Sequence, residues 1–509
     1  MMDNDQNTSP EILQLSKAKP GFFKTLRKTF FLEKLYNPIG LAFLILVAAV
    51  IAVGTYKFGI LFGAALLGLV IGLPTIYSIV AYPKFGILVL LVLAYLLFYM
   101  GRLGVPGPLG TVIDLIQLLL IIGTLLSLRR NGDWELLKGP VSTMILVWIG
   151  YNLIQIGNPS AVSRLAWVFT VRSVAIVMLS YFVFVYNIKS LNYVKLIFKV
   201  WLVLSIYAAL YAAKQEYIGF SAGEEEYLHS DPEIAGLLFI AGHWRKFSIF
   251  SDPVSFAYNI TMAAIFCIAL IAGKRALWQK IILTGLAGLF FISSLYSGTR
   301  GANVLIPVAL ILFAILNYNK KVLIFSCVAA VFMIFLINVP TGDPNLLRFQ
   351  TAFAPNDDPS YKLRKFNQKR IQPYILSHPI GFGLGATGGW GKRFGDGSVV
   401  SSFQPDSGYI RVAVELGPVG LVIFCTLMFT IMKTGIDNYY RIKDPELRNY
   451  SLAILMIIFA YNIANFPQEA LVQFPSNVYF SLDLALLTVL RRLDEEKQKT
   501  QASPLIIIT

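Results

Sequence analysis

KFGILVLLVLAYLLFYM (84–100) and TVIDLIQLLLIIGTLLSL (111–128) decide the fold class. An α-helix needs about 20 mostly apolar residues to cross a hydrocarbon core of roughly 30 Å. Each of these runs approaches that length with a single charge, Lys84 in the first and Asp114 in the second. Working outward, similar runs recur near 39–56, 58–81, 141–157, 166–187, 195–213, 254–273, 281–297, 302–318, 321–338, 408–432, 450–466 and 473–490. The pattern predicts an all-α polytopic integral membrane protein of about 14 transmembrane helices (12–14), the first three tightly joined. Composition agrees: of 509 residues, 56% are hydrophobic and 14% charged, and mean hydropathy is +0.66. Soluble domains carry nearer ~25% charge, so a water-soluble enzyme is excluded. Cys267, Cys327 and Cys425 all lie in apolar runs, and His229, His243 and His378 are scattered. A disulfide framework, a zinc cluster and a His-rich metal site are therefore not expected.

Charge asymmetry orients the spans. The chain has 43 Lys+Arg against 28 Asp+Glu, a net charge of +15. With the N-terminus inside, the inner connections hold Lys84; Arg129, Arg130 and Lys138; Lys189 and Lys195; Lys274, Arg275 and Lys280; and Lys320 and Lys321. Lys433, Arg441, Lys443, Arg448, Arg491 and Arg492 continue the series, whereas short outer connections carry mainly Lys57, Arg102, Arg164 and Arg300. The positive-inside rule then places both termini in the cytoplasm. The expected parts are a cytoplasmic segment 1–37, spans 1–11 over 38–338, a large outer loop 339–407, spans 12–14 over 408–490 and a cytoplasmic tail 491–509. Residues 1–37 do not read as a signal peptide. Within them, 21–36 places Phe22, Phe23, Leu26 and Phe30 on one helical face, as in an interfacial amphipathic helix.

Two outer segments are long enough to fold. Residues 214–253 pass from the acidic Glu224, Glu225 and Glu226 to Arg245 and Lys246. In 339–407, Arg348, Lys362, Arg364, Lys365, Lys369, Arg370, Lys392 and Arg393 outnumber five aspartates, which suits an anionic ligand. YKLRKFNQKRIQPYILSH (361–378) reads as a helix that Pro373 kinks or restarts. Its Lys362, Lys365 and Lys369 form one stripe, either solvated against lipid headgroups or anion-binding. Leu363, Phe366, Arg370 and Tyr374 share another face, so the Arg370 guanidinium is expected to be buried. PIGFGLGATGGWGKRFGDG (379–397) contains a formal G-x-G-x-x-G, but without the flanking strand, helix and acidic residue of a dinucleotide site. It is either a cradle of backbone N–H groups for an oxyanion or a flexible flap.

Charges at span positions are costly, at least ~2.5–3.5 kcal/mol each at mid-membrane, and so point to function. Arg172 lies in the sixth span, Arg300 opens the tenth, and Asp406 stands at the mouth of the twelfth. Arg411 and Glu415 are spaced for an internal ion pair; Asp114 and Asp483 suit packed polar contacts, and His229-Ser230-Asp231 is at most half of a metal site. Arg300, Arg370 and Asp406, with Arg245, fall on the outer face. Guanidiniums there suit a diphosphate, and a carboxylate beside them suits a sugar hydroxyl's proton.

At these residues the chain resembles the O-antigen ligase/polymerase family of bacterial envelope glycosyltransferases. SGTRGA (297–302) resembles its Ser-x-x-Arg-Gly motif, Arg370 to Gly381 its R-x10-G pattern, and RKFSIFSDP (245–253) a looser segment. PDSGYIRVAVELGPVGL (405–421) resembles the motif that is H-x10-G in ligases, with Asp406 to Gly417 here. The resemblance implies a multi-pass protein of the bacterial inner membrane with its cavity open to the periplasm. It implies transfer of a glycan from an undecaprenyl-pyrophosphate-linked donor to an acceptor hydroxyl, without metal or cofactor. Arg300 and Arg370 would hold the diphosphate and Asp406 would position or deprotonate the acceptor. Arg245, Lys369, Tyr409, Arg411, Glu415 and Arg172 would contact substrate. An aspartate beside arginines has a lowered pKa and is a poor base; its replacement of the ligase histidine shifts the reading towards a surface-polysaccharide polymerase. The alternatives are a ligase to lipid A-core or to protein, and, in another class, a lipid-linked sugar flippase. Expected partners are the donor, a glycan or lipid A-core acceptor, the bilayer, and a chain-length regulator or flippase. Nucleic acid is not among them.

Overall fold

The computed structural model describes residues 38–58, 72–105, 108–240, 242–318, 320–353 and 359–502. The predicted amphipathic helix at 21–36 lies outside them. Two compact units are present, 1–77 and 78–509. The first contains the apolar helix Pro38–Phe58; all that follows concerns the second.

The protein is an all-α polytopic membrane protein. Among the described residues, nine helices are long and apolar enough to cross a bilayer. They are Pro83–Arg102, Leu109–Asn131, Pro140–Gly157, Arg164–Asn187, Leu191–Tyr217, Pro253–Ile271, Leu277–Leu295, Gly408–Arg441 and Pro445–Ala464. Each covers a predicted run. The run at 302–318 forms two pieces, Arg300–Asn303 and Leu305–Leu316, and that at 473–490 begins a longer helix, Ser476–Ala502. Pro253–Ile271 and Pro445–Ala464 are the most enclosed. Their Phe256, Phe266 and Tyr461 are buried beside Phe198, Trp201 and Phe480. Aspartate followed by proline opens both helices. Asp252 accepts from Val254 N and Ser255 N, and Asp444 from Glu446 N and Leu447 N. The carboxylate satisfies orphan amides, and the proline fixes φ where no amide is needed.

Connections segregate to two ends. At one, Asn131 donates to Tyr186, Lys195 pairs with Glu446 at 2.8 Å, Tyr439 donates to Asn317, and Arg492 donates to the Val185 and Ile188 carbonyls. At the other, Arg102 donates to the Phe250 and Ser248 carbonyls, both at 2.7 Å, and Asn158 donates to the Gly381 carbonyl at 3.0 Å. Gln350 bonds the Leu336 and Val339 carbonyls at this loop end.

The loop end is built from both long segments. Residues 214–253 fold as helices Ala222–His229 and Pro232–Leu238 and a two-residue antiparallel ladder pairing Phe239 with Trp244 and Ile240 with His243. Glu224 is buried in a capping box with Ser221 and accepts from Gln215 at 2.7 Å. Residues 339–407 supply helices Pro344–Thr351, Pro359–Ser377 and Gly388–Phe394. Pro359–Ser377 runs through Pro373 as a single helix.

Candidate active site

Two clusters of charge occupy the loop end. In the first, Arg245, Arg300 and Arg348 line one cavity of about 350 Å³ together with His243, Tyr296 and Asn345. Arg245 follows the short ladder; its Nε donates to the Ser297 carbonyl at 2.8 Å and its Nη2 to Thr299 Oγ1 at 3.1 Å. Arg348, on Pro344–Thr351, donates from Nε to the Gly298 carbonyl at 2.9 Å. Gly298 has φ +58°, and a side chain there would strike Arg348. The turn Tyr296–Thr299 thus gathers both arginines round the start of the Arg300 helix. Burial, followed by the repulsion of Arg348, pushes the Arg245 pKa down to about 10, with Arg300 adding to it and Asp252 opposing. Arg245 is still charged at neutral pH, and the three guanidiniums feel one another. Behind the wall, Glu216 holds the buried Lys246 at 3.2 Å and His243 at 3.3 Å.

The second cluster is mixed in sign. Arg411 Nε pairs with Glu415 at 3.2 Å, as its spacing predicted, and Nη1 pairs with Glu469 at 2.6 Å. Thr387 Oγ1 donates to the same Glu415 oxygen at 2.7 Å. Burial, with the charges of Glu415 and Asp406 adding to it, raises the Glu469 pKa against the pull of Arg411. Gly301, the neighbour of Arg300, lies against the connection that carries Glu469: a Cβ added there would lie 3.4 Å from Pro467.

The two ten-residue spacings have one physical cause. Gly417 (φ +69°) breaks the helix that starts at Gly408, and Gly381 has φ +76°. A Cβ on Gly381 would collide with the Glu415 carbonyl and Gly417 N; one on Gly417 would collide with the Pro379 carbonyl and Gly381 N. Phe382 N donates to the Val414 carbonyl at 3.0 Å and Val419 N to Pro379 at 3.3 Å. Only glycine permits this backbone-to-backbone seat. The glycine-rich stretch is accordingly packed, and no flap: Gly383 lies against Ala161 and Gly385 against Ala166 and Thr170.

Several sequence expectations are corrected. The Arg370 side chain is exposed, not buried, because Ile371, at 1% exposure, is the residue of that turn which packs, beside Val414. Leu363 and Phe366 are exposed at 59% and 62%, so the apolar face beside Arg370 has no protein cover. Lys369 is also exposed. Asp406 is half-buried with its charge acting on Glu469, and among the described residues it forms no ion pair with an arginine. Arg172 stands in a π-turn, Arg172–Ile176, and pairs with Asp114 at 2.7 Å instead of joining either cluster. Tyr409 turns its hydroxyl to Asn462, with the carbonyl oxygen at 3.3 Å. His229 bonds the Glu225 carbonyl.

Residues 285–425 match the model of the family described as O-antigen ligase. The chain carries an O-antigen ligase family region. The match begins ahead of Arg300, spans Arg348, Gly381, Arg411 and Glu415, and ends just past the Gly417 break. Arg245 and Glu469 lie outside it and reach this O-antigen ligase region only through the fold. No curated protein matches the chain.

Proposed function

We propose that the chain is a glycosyltransferase of the O-antigen ligase/polymerase kind. It transfers a glycan from an undecaprenyl-pyrophosphate donor to an acceptor hydroxyl at the periplasmic face of the bacterial inner membrane. The convergence of Arg245, Arg300 and Arg348 on one cavity carries the reading. A diphosphate leaving group develops charge as the C1–O bond breaks, and preorganised guanidiniums stabilise it without the desolvation and reorganisation that water requires. They take the part that a divalent cation otherwise plays, so the transfer is proposed to be metal-independent. The acceptor oxygen forms the new bond to C1, with inversion. Its proton passes to a carboxylate near the second cluster, Asp406, whose charge acts on Glu469. Arg370, exposed on its helix, is given no part in this proposal.

Purified protein with lipid-linked repeat units tests this. Transfer is expected to fall at least about 100-fold in Arg300→Ala and to persist in EDTA; full transfer by Arg300→Ala, or by the double variant Arg300→Ala/Arg348→Ala, overturns the reading. Micelles have no compartments, so longer glycans there also exclude a flippase. Polymerase is favoured over ligase because Asp406 replaces the histidine of the ligase pattern. A deletion strain that accumulates single repeat units supports the polymerase; long unattached chains instead point to a ligase for lipid A-core or protein.

A further inference from the structure

A second cavity opens beside the Arg411 cluster. It has a volume of about 500 Å³, and its wall includes Trp390, Arg393, Gln404, Thr387 and Glu469. Trp390 is backed by a stack. Phe169, from the helix that begins at Arg164, lies 4.8 Å from its ring at 18°; Phe394 lies 5.7 Å away at 7° and 5.2 Å from Phe169. Arg393 sits 5.2 Å from the Phe394 centroid and 6.0 Å from that of Trp390, so its guanidinium edges the indole. Trp390 is nevertheless half-buried, not enclosed, and contributes to the cavity wall. A rigid indole offered to a cavity of this size is a binding surface, since small-molecule sites run to roughly 300–1,000 Å³.

The chemistry of the wall selects the ligand. An indole face is electron-rich and receives the weakly positive C–H face of a pyranose ring. Gln404 offers both an amide donor and an acceptor, and Arg393 and Glu469 add fixed donors and acceptors for hydroxyls. Three arginines line the first cavity, whereas the second holds Arg393 and Arg411 with Glu469, and because Arg411 is paired with Glu469 and Glu415 it offers a polyphosphate less positive charge. Pro467, two residues before Glu469, lies against Gly301, the neighbour of Arg300. We infer that the Trp390–Gln404 cavity is a carbohydrate subsite that seats the acceptor glycan, with its hydroxyl directed towards Glu469 and the arginine cavity. This rests on the proposed transferase reading and adds to it the place and chemical class of the acceptor.

The test uses the full-length protein in nanodiscs. Two probes are used: soluble oligosaccharide repeat units cut from the surface glycan of the source cells, and inorganic pyrophosphate. Trp390→Ala is expected to weaken oligosaccharide binding at least ten-fold, and Trp390→Phe less than three-fold. Pyrophosphate binding should be unchanged in both. Should Trp390→Ala lose pyrophosphate binding as well, its fold is damaged and Gln404→Ala decides, because Gln404 is exposed and its side chain forms no hydrogen bond among the described residues. It should weaken the oligosaccharide about five-fold. Unchanged oligosaccharide affinity in folded Trp390→Ala, or in Gln404→Ala when that variant decides, overturns the subsite. Wild-type protein that binds the oligosaccharide through Trp390 yet transfers no glycan from a diphosphate lipid overturns the transferase and leaves the subsite standing. Transfer that persists with acceptor affinity untouched by these variants does the reverse.

Discussion

The arginine cavity and the Arg411 cluster treat positive charge in opposite ways. Arg411 is shared between two carboxylates and is 16% exposed, so its charge is spent on holding the chain together. Arg245 bonds the Ser297 carbonyl and the Thr299 hydroxyl, Arg348 bonds the Gly298 carbonyl, and both line an open space with Arg300, where the charges of Arg348 and Arg300 act on Arg245. A paired buried charge mainly fixes geometry, because removing one partner strands the other. Charges that gather around a space favour an anion that enters it. The same residue type thus serves architecture in one place and ligand in the other.

That contrast can be broken by substitution. Arg411→Met strands Glu415 and Glu469, and should destabilise the fold by about 3–5 kcal/mol, read as loss of thermal or detergent-unfolding stability; a change below ~1 kcal/mol would show that the cluster is not structural. Gly417→Ala and Gly381→Ala should each cost at least ~1–2 kcal/mol from the left-handed backbone alone, with the backbone collision in addition. Arg348→Ala sharpens the other side: stability should barely move, while pyrophosphate affinity falls roughly ten-fold, about 1.4 kcal/mol. Equal loss of stability in Arg348→Ala and Arg411→Met would erase the distinction.

The smallest effect is on pH dependence. Burial raises the Glu469 pKa above its ordinary 4.5. A raised folded-state value means that the native protein binds this proton more tightly than the unfolded chain. Its contribution to stability is therefore present in acid and lost as pH climbs through the raised value. Glu469→Gln should flatten that part of the stability–pH curve, measured as melting temperature from acid towards neutral pH. An unchanged curve removes Glu469 as the titrating group.

Much of this was legible in the sequence, for reasons that differ by residue. Arg300 stood out because it opens an apolar run, where charge is costly, and Arg245 because it falls on the outer face in a segment that resembles one of the family's. Arg348 was only one cation among eight in a long loop, and nothing local marked it. Glu469 lies in a short connection after the penultimate predicted span and carries no motif. Arg370 misled because an apolar helical face signals burial in a soluble protein, whereas a membrane protein's apolar face needs no protein cover. The Asp-Pro pairs at 252–253, 343–344 and 444–445 were a helix-start signal that went unused.

Which segments form helices long and apolar enough to cross a bilayer was legible in the sequence alone for nine of the predicted runs, since such a run lowers the cost of desolvating its backbone only as a helix. The ion pair of Arg411 with Glu415 was likewise local in origin. Which charges meet was decided only in three dimensions. Arg245 reaches Arg348 across a hundred residues, Glu469 reaches Arg411 across 58, and Gly381 seats on Gly417. Those meetings depend on how whole helices pack and where their connections land, and no window of sequence contains that sum.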